Sequence, residues 1–457
     1  MTVATLEAVL ISAAALAALW VGTRSPFHAF CLLLVALPFE NALVFTSVFT
    51  VTPGHLALLL LGAVTLFHAR RVPAAGAATA PLHGFVLAYL GISLLSIAMT
   101  MVAPPPVPLS AAPAGWRASE LRSAIQICLL AFMSLGYFTT VFFCSEPAAL
   151  KRALTIYLIT AGLIALYGLY QIAATVYYLP FVAVLVQSLY GLVTSFRPNA
   201  TFREPLNFAH YLVSALPLAI AVCLHRDCLR ASDRARLGIG LLPAIAVISM
   251  ALLATIARGA WLGFIGAAGV ITVLSGRRLL RALPAGAALA AVALFAFART
   301  FGSWSLMFAV IADRFNFLNP INIAGEQRLP FIPFLVGIWR RHPVIGVGYG
   351  NYPFYQLDWF GGGIAGAYGL FWQALVETGV LGLSVLLTLM GAYYVIMLRT
   401  VRRSGDSEWR PWLIGEVAAF TGLMIQYFTA GDRLNLYVWV LIGLSMATVN
   451  VVNAERG

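Results

Sequence analysis

Two arginines and a histidine stand together in Arg340-Arg341-His342, directly before a glycine-rich stretch that runs from Pro343 to Asn351. An imidazole can take up a proton near neutral pH, and a guanidinium binds phosphate through paired hydrogen bonds. Glycines allow a backbone to approach a ligand closely and to adopt positive φ angles. These residue types in this order predict a site that combines a general base with a phosphate ligand.

A second polar stretch lies between Arg197 and His210 and also contains Arg203 and Asn207. It occurs where a long loop is predicted to re-enter the membrane as a helix. The first turn of a helix offers unpaired N–H groups and the positive end of the helix dipole, both suited to a phosphate. The stretch therefore predicts either an anion-binding site or an interfacial anchor with a helix cap.

Three further ionisable side chains lie at or within predicted spans. Arg258 occupies a tight turn between two spans, where it either binds a ligand or extends to lipid head groups. Glu377 lies about two turns into a span and requires a partner, so it either pairs with an arginine or acts as a base. Arg433 follows Asp432 in a short turn, where the two side chains form a local ion pair or contribute to a site.

The elements that must position these residues are membrane helices. The chain has 457 residues, of which 61% are hydrophobic and 10% charged, with a mean hydropathy of +0.91. We predict an all-α, polytopic membrane helix bundle of about 12–13 transmembrane helices, with a long periplasmic segment that contains short helices. The bundle occupies 1–298, with outer loops near 103–119 and 177–206; the periplasmic loop region is 299–366, and C-terminal helices follow in 367–457. The spans are predicted near 6–22, 27–48, 55–69, 82–102, 120–143, 153–176, 207–224, 237–256, 260–275, 282–298, 367–398, 411–429 and 434–451.

The net charge of +12 does not indicate a nucleic-acid partner, because the basic residues are scattered among apolar runs. Alternating the spans places five basic clusters on one side, which the positive-inside rule makes cytoplasmic. Membrane lipids and this bias account for most of the charge. The remaining arginines are predicted on the opposite, outer side: Arg117, Arg122, Arg197, Arg203, Arg258, Arg299, Arg314, Arg328, Arg340, Arg341 and Arg433.

Four motifs, in this order, resemble the O-antigen ligase family and the related O-antigen polymerases over roughly residues 120–445. They are Ala200-Thr201-Phe202 with Asn207-Phe208-Ala209, the turn Ala257-Arg258-Gly259-Ala260, Arg328 with Trp339 and Pro343–Asn351, and Glu377-Thr378-Gly379 with Gly382. The resemblance implies a multi-pass protein of a bacterial inner membrane, with an active site that faces the periplasm. It also implies metal-independent glycan transfer there, without a cofactor, from a donor on undecaprenyl pyrophosphate. For ligases it implies an acceptor sugar of the lipid A core. It also implies that arginines hold the pyrophosphate and that a histidine activates the acceptor hydroxyl.

The chain departs from the ligase pattern at one position. Ligases carry His-Asn before a nine-residue spacer, and this chain has Tyr368-Gly369 there. A tyrosine with an ordinary pKa of about 10 is a poor base at neutral pH. Three alternatives follow: His342, His210 or Glu377 takes that role, the chain belongs to a variant branch, or it is an altered, inactive protein. We therefore assign His342, Tyr368 and Glu377 to catalysis; Arg197, Arg203, Arg258, Arg328 and Arg341 to pyrophosphate; and Asn207, His210, Asn351 and Arg433 to supporting roles.

The predicted function is an inverting O-antigen ligase that joins the lipid-linked glycan to the lipid A-core oligosaccharide. The first alternative is an O-antigen or exopolysaccharide polymerase, which extends the lipid-linked glycan itself and shares the donor chemistry. Alternatives from other classes are a lipid or solute transporter and a scaffold for a cell-envelope complex. Transporters usually carry ionisable groups near mid-membrane and repeated halves, whereas here the charges collect at one face and no repeat is evident.

Overall fold

A computed structural model describes residues 20–39, 43–44, 50–68, 80–102, 119–180, 197–276, 328–355, 369–429 and 433–456, with 16–17, 278, 291 and 295. Among these residues the only strands are a two-residue antiparallel pair, β1 (Leu43–Val44) and β2 (Thr50–Val51). The helices are α1 (Pro26–Ala36), α2 (Pro53–Phe67), α3 (His83–Leu95), α4 (Ile97–Val102), α5 (Ser119–Phe143), α6 (Pro147–Tyr177), α7 (Pro205–Leu224), α8 (Ala231–Ala254), α9 (Arg258–Ser275), α10 (Arg328–Arg341), α11 (Leu370–Ser404), α12 (Arg410–Thr429) and α13 (Leu436–Ala454), with a 3-10 turn at Arg226–Cys228.

The predicted all-α, polytopic membrane architecture is confirmed. Within the described residues, seven helical segments are long and apolar enough to cross a membrane: His83–Val102, Leu121–Phe143, Pro147–Tyr177, Pro205–Leu224, Arg258–Ser275, Leu370–Ser404 and Leu436–Ala454. Shorter apolar helices occupy Pro26–Ala36, Pro53–Phe67 and Gly240–Ala254. Most of the predicted span 6–22 and nearly all of 282–298 lie outside the described residues.

Three helices form the centre of the bundle. In the most apolar 18-residue stretch of each helix, the share of residues buried within the protein is 89% for α13 and 78% for α7. The same share is 28% for α9 and for the segment formed by α3 and α4. Helix α12 packs against α7, α9, α11 and α13, and α5 packs along α13. Helices α7, α12 and α13 are therefore internal, and α3 and α9 present much of their surface to the exterior.

Glycines allow α12 to approach its neighbours α7 and α9 closely. A Cβ atom added to Gly263 in α9 would lie 2.4 Å from the carbonyl oxygen of Gly422 in α12. A Cβ atom at Gly415 in α12 would lie 2.6 Å from the Cα atom of Leu218 in α7. Small residues at such crossings give membrane helices their close van der Waals packing, because lipid provides no hydrophobic force between helices.

The two ends of the bundle differ in chemistry. Ion pairs at one end join α6, the start of α8 and the turn between α11 and α12: the Lys151 ammonium lies 2.6 Å from Asp233 and 2.8 Å from Glu408, and Arg230 lies 2.9 Å from the same glutamate. We call this the charged end. The opposite end, here the loop end, carries residues 197–204, 255–258, 342–355 and 433–435, which include half of the predicted site residues.

Two predicted spans are interrupted. The segment predicted at 82–102 divides into α3 and α4 at Ser96, and the segment predicted at 367–398 contains a non-helical residue, Gly379, with φ 67° and ψ −167°. Both interruptions face the same glycine-rich connection. They are therefore part of the candidate site.

Candidate active site

The glycine loop, Pro343–Tyr352, replaces hydrogen bonds that α11 loses at Gly379. The amides of Val380 and Leu381 donate to the carbonyl oxygens of Pro343 (2.9 Å) and Val344 (3.2 Å). In return, the loop amides of Val347 and Gly348 donate to the carbonyl oxygens of Val376 (2.9 Å) and Glu377 (3.0 Å). Backbone groups in a membrane helix must be satisfied internally, so the loop and the helix break form one unit.

The loop adopts this path because glycine occupies the positions with positive φ. Gly346, Gly348 and Gly350 have φ values of 77°, 94° and 84°. A Cβ atom at Gly346 would lie 2.5 Å from the carbonyl oxygen of Val376, and one at Gly379 would lie 2.2 Å from that of Val344. The G-x-G-x-G and E-x-G patterns therefore describe two backbones in contact.

Glu377 is enclosed by this unit and has 1% of its surface exposed. Its Oε1 atom accepts hydrogen bonds from the Tyr352 amide (3.3 Å) and from the Gln373 side-chain amide. Asn351 is also buried, and its Nδ2 atom donates to the carbonyl oxygen of Val347 (3.2 Å). These contacts make Glu377 and Asn351 anchors of the glycine loop.

Polar residues of neighbouring helices hold the other side of the loop. The Tyr349 amide donates to the Ser96 hydroxyl (2.9 Å), at the junction between α3 and α4. The buried Arg122 of α5 donates from Nε to the Gly350 carbonyl oxygen (2.6 Å). One turn later in α5, Gln126 accepts a hydrogen bond from Arg433.

Arg433 therefore reaches the glycine loop across the bundle. Its guanidinium carbon lies 6.0 Å from the centroid of the Tyr349 ring, within cation–π range. Neither Ser96 nor Gln126 was among the predicted site residues. Arg122 and Gln126 stand four residues apart in an apolar run, and this spacing on one helix face is the signal that predicts their common role.

The arginine loop, Arg197–Glu204, is fixed to three other segments. Gln171 in α6 forms two hydrogen bonds with the backbone of Ala200, from Nε2 to the carbonyl (2.9 Å) and from the amide to Oε1 (2.8 Å). The Thr201 hydroxyl donates to the Pro38 carbonyl oxygen (2.6 Å). Because Ala200 has a positive φ of 48°, these partners hold a backbone conformation that alanine disfavours.

Arg197 joins this loop to the turn that carries Arg258. Its Nε atom donates to the carbonyl oxygen of Thr255, at the end of α8 (2.7 Å). Arg258 is the first residue of α9 and is half-buried, whereas Arg203 is exposed. The structure therefore brings two of the predicted stretches together and leaves Arg203 at the surface of the loop end.

His210 is not at the surface. It has 1% of its surface exposed, two turns into α7, and its ring stacks on Tyr427 of α12 with centroids 5.0 Å apart. Neither ring nitrogen has a hydrogen-bond partner among the described residues. Asn207, one turn earlier, is half-buried. His210 is thus enclosed by the bundle, and Asn207 is the more accessible of the two.

His342 lies at the junction between α10 and the glycine loop. The side chain is partly exposed. Partial burial lowers its pKa below the usual value, and the positive charge of the neighbouring Arg341 lowers it further. Arg341 is exposed. Burial raises the pKa of Tyr355, and the positive charge of the Arg341 guanidinium partly offsets this increase. At neutral pH the His342 imidazole is therefore uncharged and able to accept a proton.

Two predicted site residues have no described side chain. Tyr368 lies outside the described residues, and Arg328 begins α10 with only its backbone described. Among the described residues, no group of three or more His, Cys, Asp or Glu side chains is arranged to hold a metal ion.

Comparison with known proteins identifies the region that contains these features. Residues 243–387 match the model of a family described as O-Antigen ligase. The matched region includes the Arg258 turn, α10, the glycine loop and the break at Gly379. A search of curated protein sequences gave no match. The family match over residues 243–387 confirms the resemblance to the O-antigen ligase and polymerase family that the motifs show.

Proposed function

We propose that this protein is an O-antigen ligase, which transfers a glycan from undecaprenyl pyrophosphate to a sugar of the lipid A core. The reaction takes place at the loop end of the bundle, which faces the periplasm of a bacterial inner membrane. In this proposal the acceptor hydroxyl attacks the anomeric carbon with inversion, and the lipid pyrophosphate leaves. Positioned guanidinium groups replace a metal ion in stabilising the charge that develops on the leaving group.

One observation carries the proposal: the arginine loop and the glycine loop are both fixed to helices at the same end of the bundle. Arg197 is bonded to the Thr255 carbonyl, and Arg122 is bonded to the Gly350 carbonyl. The more exposed arginines at this end are Arg203 and Arg341, and Arg258 is half-buried. We assign the anchored arginines to scaffolding and the exposed and half-buried ones, with Arg328, to the pyrophosphate.

We assign the general base to His342. Its lowered pKa keeps the imidazole neutral at pH 7, and its partial exposure leaves it accessible to an acceptor sugar. Glu377 is enclosed and accepts hydrogen bonds from the glycine loop, so we assign it to positioning. Tyr368 takes the place of the family's histidine, and we propose that it lines the site.

The proposal is tested with purified protein, a lipid-linked donor and a lipid A-core acceptor. Arg203→Ala and Arg258→Ala should each lower kcat/KM by about 10- to 100-fold, since a hydrogen bond to a charged group contributes about 1.5–3 kcal/mol. The matched control is Arg402→Ala, an exposed arginine near the end of α11 at the charged end. Equal activity of all three variants would refute the phosphate assignment.

A polymerase is the second candidate, because the matched family includes both reactions. The two are separated by omitting the acceptor. A ligase releases no elongated product from donor alone, whereas a polymerase yields a ladder of longer lipid-linked glycans. Because the donor chemistry is shared, the arginine variants should weaken either reaction.

A further inference from the structure

A polar cavity lies at the charged end of the bundle, where α9, α11 and α12 meet. Its volume is about 270 Å³, and its polar lining consists of His225, Ser275, Arg278, Asp406 and Arg410. This volume is several times the roughly 30 Å³ that a water molecule occupies in the liquid, and it lies just below the roughly 300 Å³ at which small-molecule sites begin. The cavity is therefore large enough for a small polyatomic ion or a lipid head group.

A hydrogen-bond chain fixes the orientation of the groups in its wall. Nη1 of Arg278 lies 2.9 Å from Nδ1 of His225, and Nε2 of the same ring lies 2.8 Å from the Ser275 hydroxyl. A guanidinium can only donate, so Nδ1 accepts and Nε2 carries the proton. The Ser275 oxygen thus accepts from the ring, and its own hydrogen can be donated to a ligand in the cavity.

The His225 ring is uncharged in this arrangement. Burial and, to a smaller extent, the positive charges of Arg278 and Arg410 lower the pKa of His225 to about 4. The negative charge of Asp227 acts in the opposite direction. The ring therefore acts as a fixed neutral relay between an arginine and a serine at physiological pH. Asp227 also accepts a hydrogen bond from Nη1 of Arg278 (2.9 Å), which holds this guanidinium in place.

Both arginines of the wall keep donors for a ligand. Arg278 uses Nη1 for its protein contacts, and Arg410 uses Nη1 to donate to the carbonyl oxygens of Val401 (3.1 Å) and Gly405 (3.3 Å). Within the described part of the chain, no hydrogen bond occupies Nε or Nη2 of either guanidinium. Two arginines with unoccupied nitrogens and one serine hydroxyl form a donor set that matches the oxygens of a phosphate.

The position of the cavity also fits this ligand. It lies at the C-terminal ends of the apolar helices α7 and α9, and phospholipid head groups meet a membrane protein at the ends of its spans. Asp406, which is exposed at the rim, gives the cavity one acidic group. A carboxylate beside two guanidiniums disfavours a multiply charged anion and tolerates a phosphodiester with a single negative charge.

We propose that this cavity is a phosphate-binding site at the end of the bundle opposite the candidate active site. The shared ligand chemistry is a phosphate group, carried either by the head group of an anionic phospholipid or by free phosphate. The site is separate from the family-type glycan-transfer site and does not depend on the function proposed for it.

The test uses the full-length protein in detergent with two probes. Retention of phosphatidylglycerol is measured by native mass spectrometry, and binding of inorganic phosphate is measured by calorimetry. Arg278→Gln should weaken binding of whichever of the two probes occupies the cavity by about tenfold or more, because it removes a charge-assisted donor pair. Ser275→Ala keeps both charges and should weaken it by about threefold, as expected for one neutral hydrogen bond.

The matched control is Arg402→Gln, an exposed arginine at the same end that does not line the cavity. It should bind like the unmodified protein, which excludes a general effect of net charge. Loss of phosphatidylglycerol alone in the two cavity variants identifies a lipid site, and loss of inorganic phosphate alone identifies a free-ion site. If neither probe distinguishes the cavity variants from Arg402→Gln while all remain folded and monodisperse, the proposal is wrong.

Discussion

Replacement of Gly346 by alanine tests whether the glycine loop and α11 form one unit. Gly346 has a φ of 77°, and an added Cβ atom would lie 2.4 Å from the carbonyl carbon of Glu377 and 2.5 Å from the carbonyl oxygen of Val376. Both neighbouring atoms belong to a backbone that is held by the packing of α11. The alanine methyl group can be accommodated only if the loop moves away from the helix.

The expected cost follows from the contacts that such a movement removes. A left-handed backbone costs alanine about 1–2 kcal/mol more than glycine. Separation of the loop also weakens the bonds from the Val347 and Gly348 amides to α11, each contributing about 0.5–1.5 kcal/mol. The loop should therefore be destabilised locally by about 3 kcal/mol, which corresponds to about a 100-fold shift in its opening equilibrium.

The assay is hydrogen exchange of peptides that cover residues 343–352, measured alongside glycan transfer by the same preparations. Exchange of the Val347 and Gly348 amides should become about 100-fold faster, because their protection comes from local closure of the loop. The control is Gly391→Ala in α11, where an added Cβ atom has no neighbour within 4 Å. That substitution should leave both exchange and activity unchanged.

If Gly346→Ala exchanged at the rate of Gly391→Ala, the loop would not depend on its contact with the break at Gly379, and the assignment of Glu377 as its anchor would fail. If exchange accelerated but transfer continued at the normal rate, the unit would exist without contributing to the reaction. The two readouts therefore test the structure and the proposed function separately.

Three further predictions follow from side chains described above. His342→Asn should remove the acidic limb of the pH–activity profile, which should otherwise fall as the pH drops below about 6.5, because the lowered pKa of His342 places its protonation there. Gln171→Leu, followed by thermal unfolding, should destabilise the arginine loop by about 2–4 kcal/mol, since it leaves the buried amide and carbonyl of Ala200 without their side-chain partner; unchanged stability would contradict this. Lys151→Met should lower the free energy of unfolding by about 1–2 kcal/mol in the same measurement, because the ammonium bridges two acids and is only 20% exposed. A double substitution of Lys151 and Glu408 should lower it by less than the sum of the two single changes.

The long apolar helices could be predicted from sequence, because each is a continuous apolar run bounded by polar or charged residues. The predicted spans 207–224, 260–275 and 434–451 correspond to α7, α9 and α13, with ends that differ by at most three residues. The span predicted at 27–48 is shorter as a helix, since α1 ends at Ala36, two residues before Pro38, whose ring cannot continue a helix.

The interruptions in the helices could not be predicted from local sequence. Gly379 lies in an apolar run whose hydropathy is that of an ordinary span, and its conformation depends on a loop more than 30 residues earlier. The Ser96 hydroxyl, at the junction between α3 and α4, likewise contacts a residue distant in sequence, because it accepts a hydrogen bond from the Tyr349 amide. The types of site residue were evident from their chemistry, but their division into anchors, such as Glu377, and accessible groups, such as His342, required the burial that only the fold provides.

The exchange of backbone hydrogen bonds between the glycine loop and α11 limits how these proteins can be recombined. A chimera that took residues 343–352 from one homologue and residues 376–382 from another would place two unmatched edges against each other. The carbonyls and amides released at Gly379 would then face the membrane interior, where water cannot solvate them. Transplants intended to change acceptor or donor preference should therefore carry both segments together, as a single cassette.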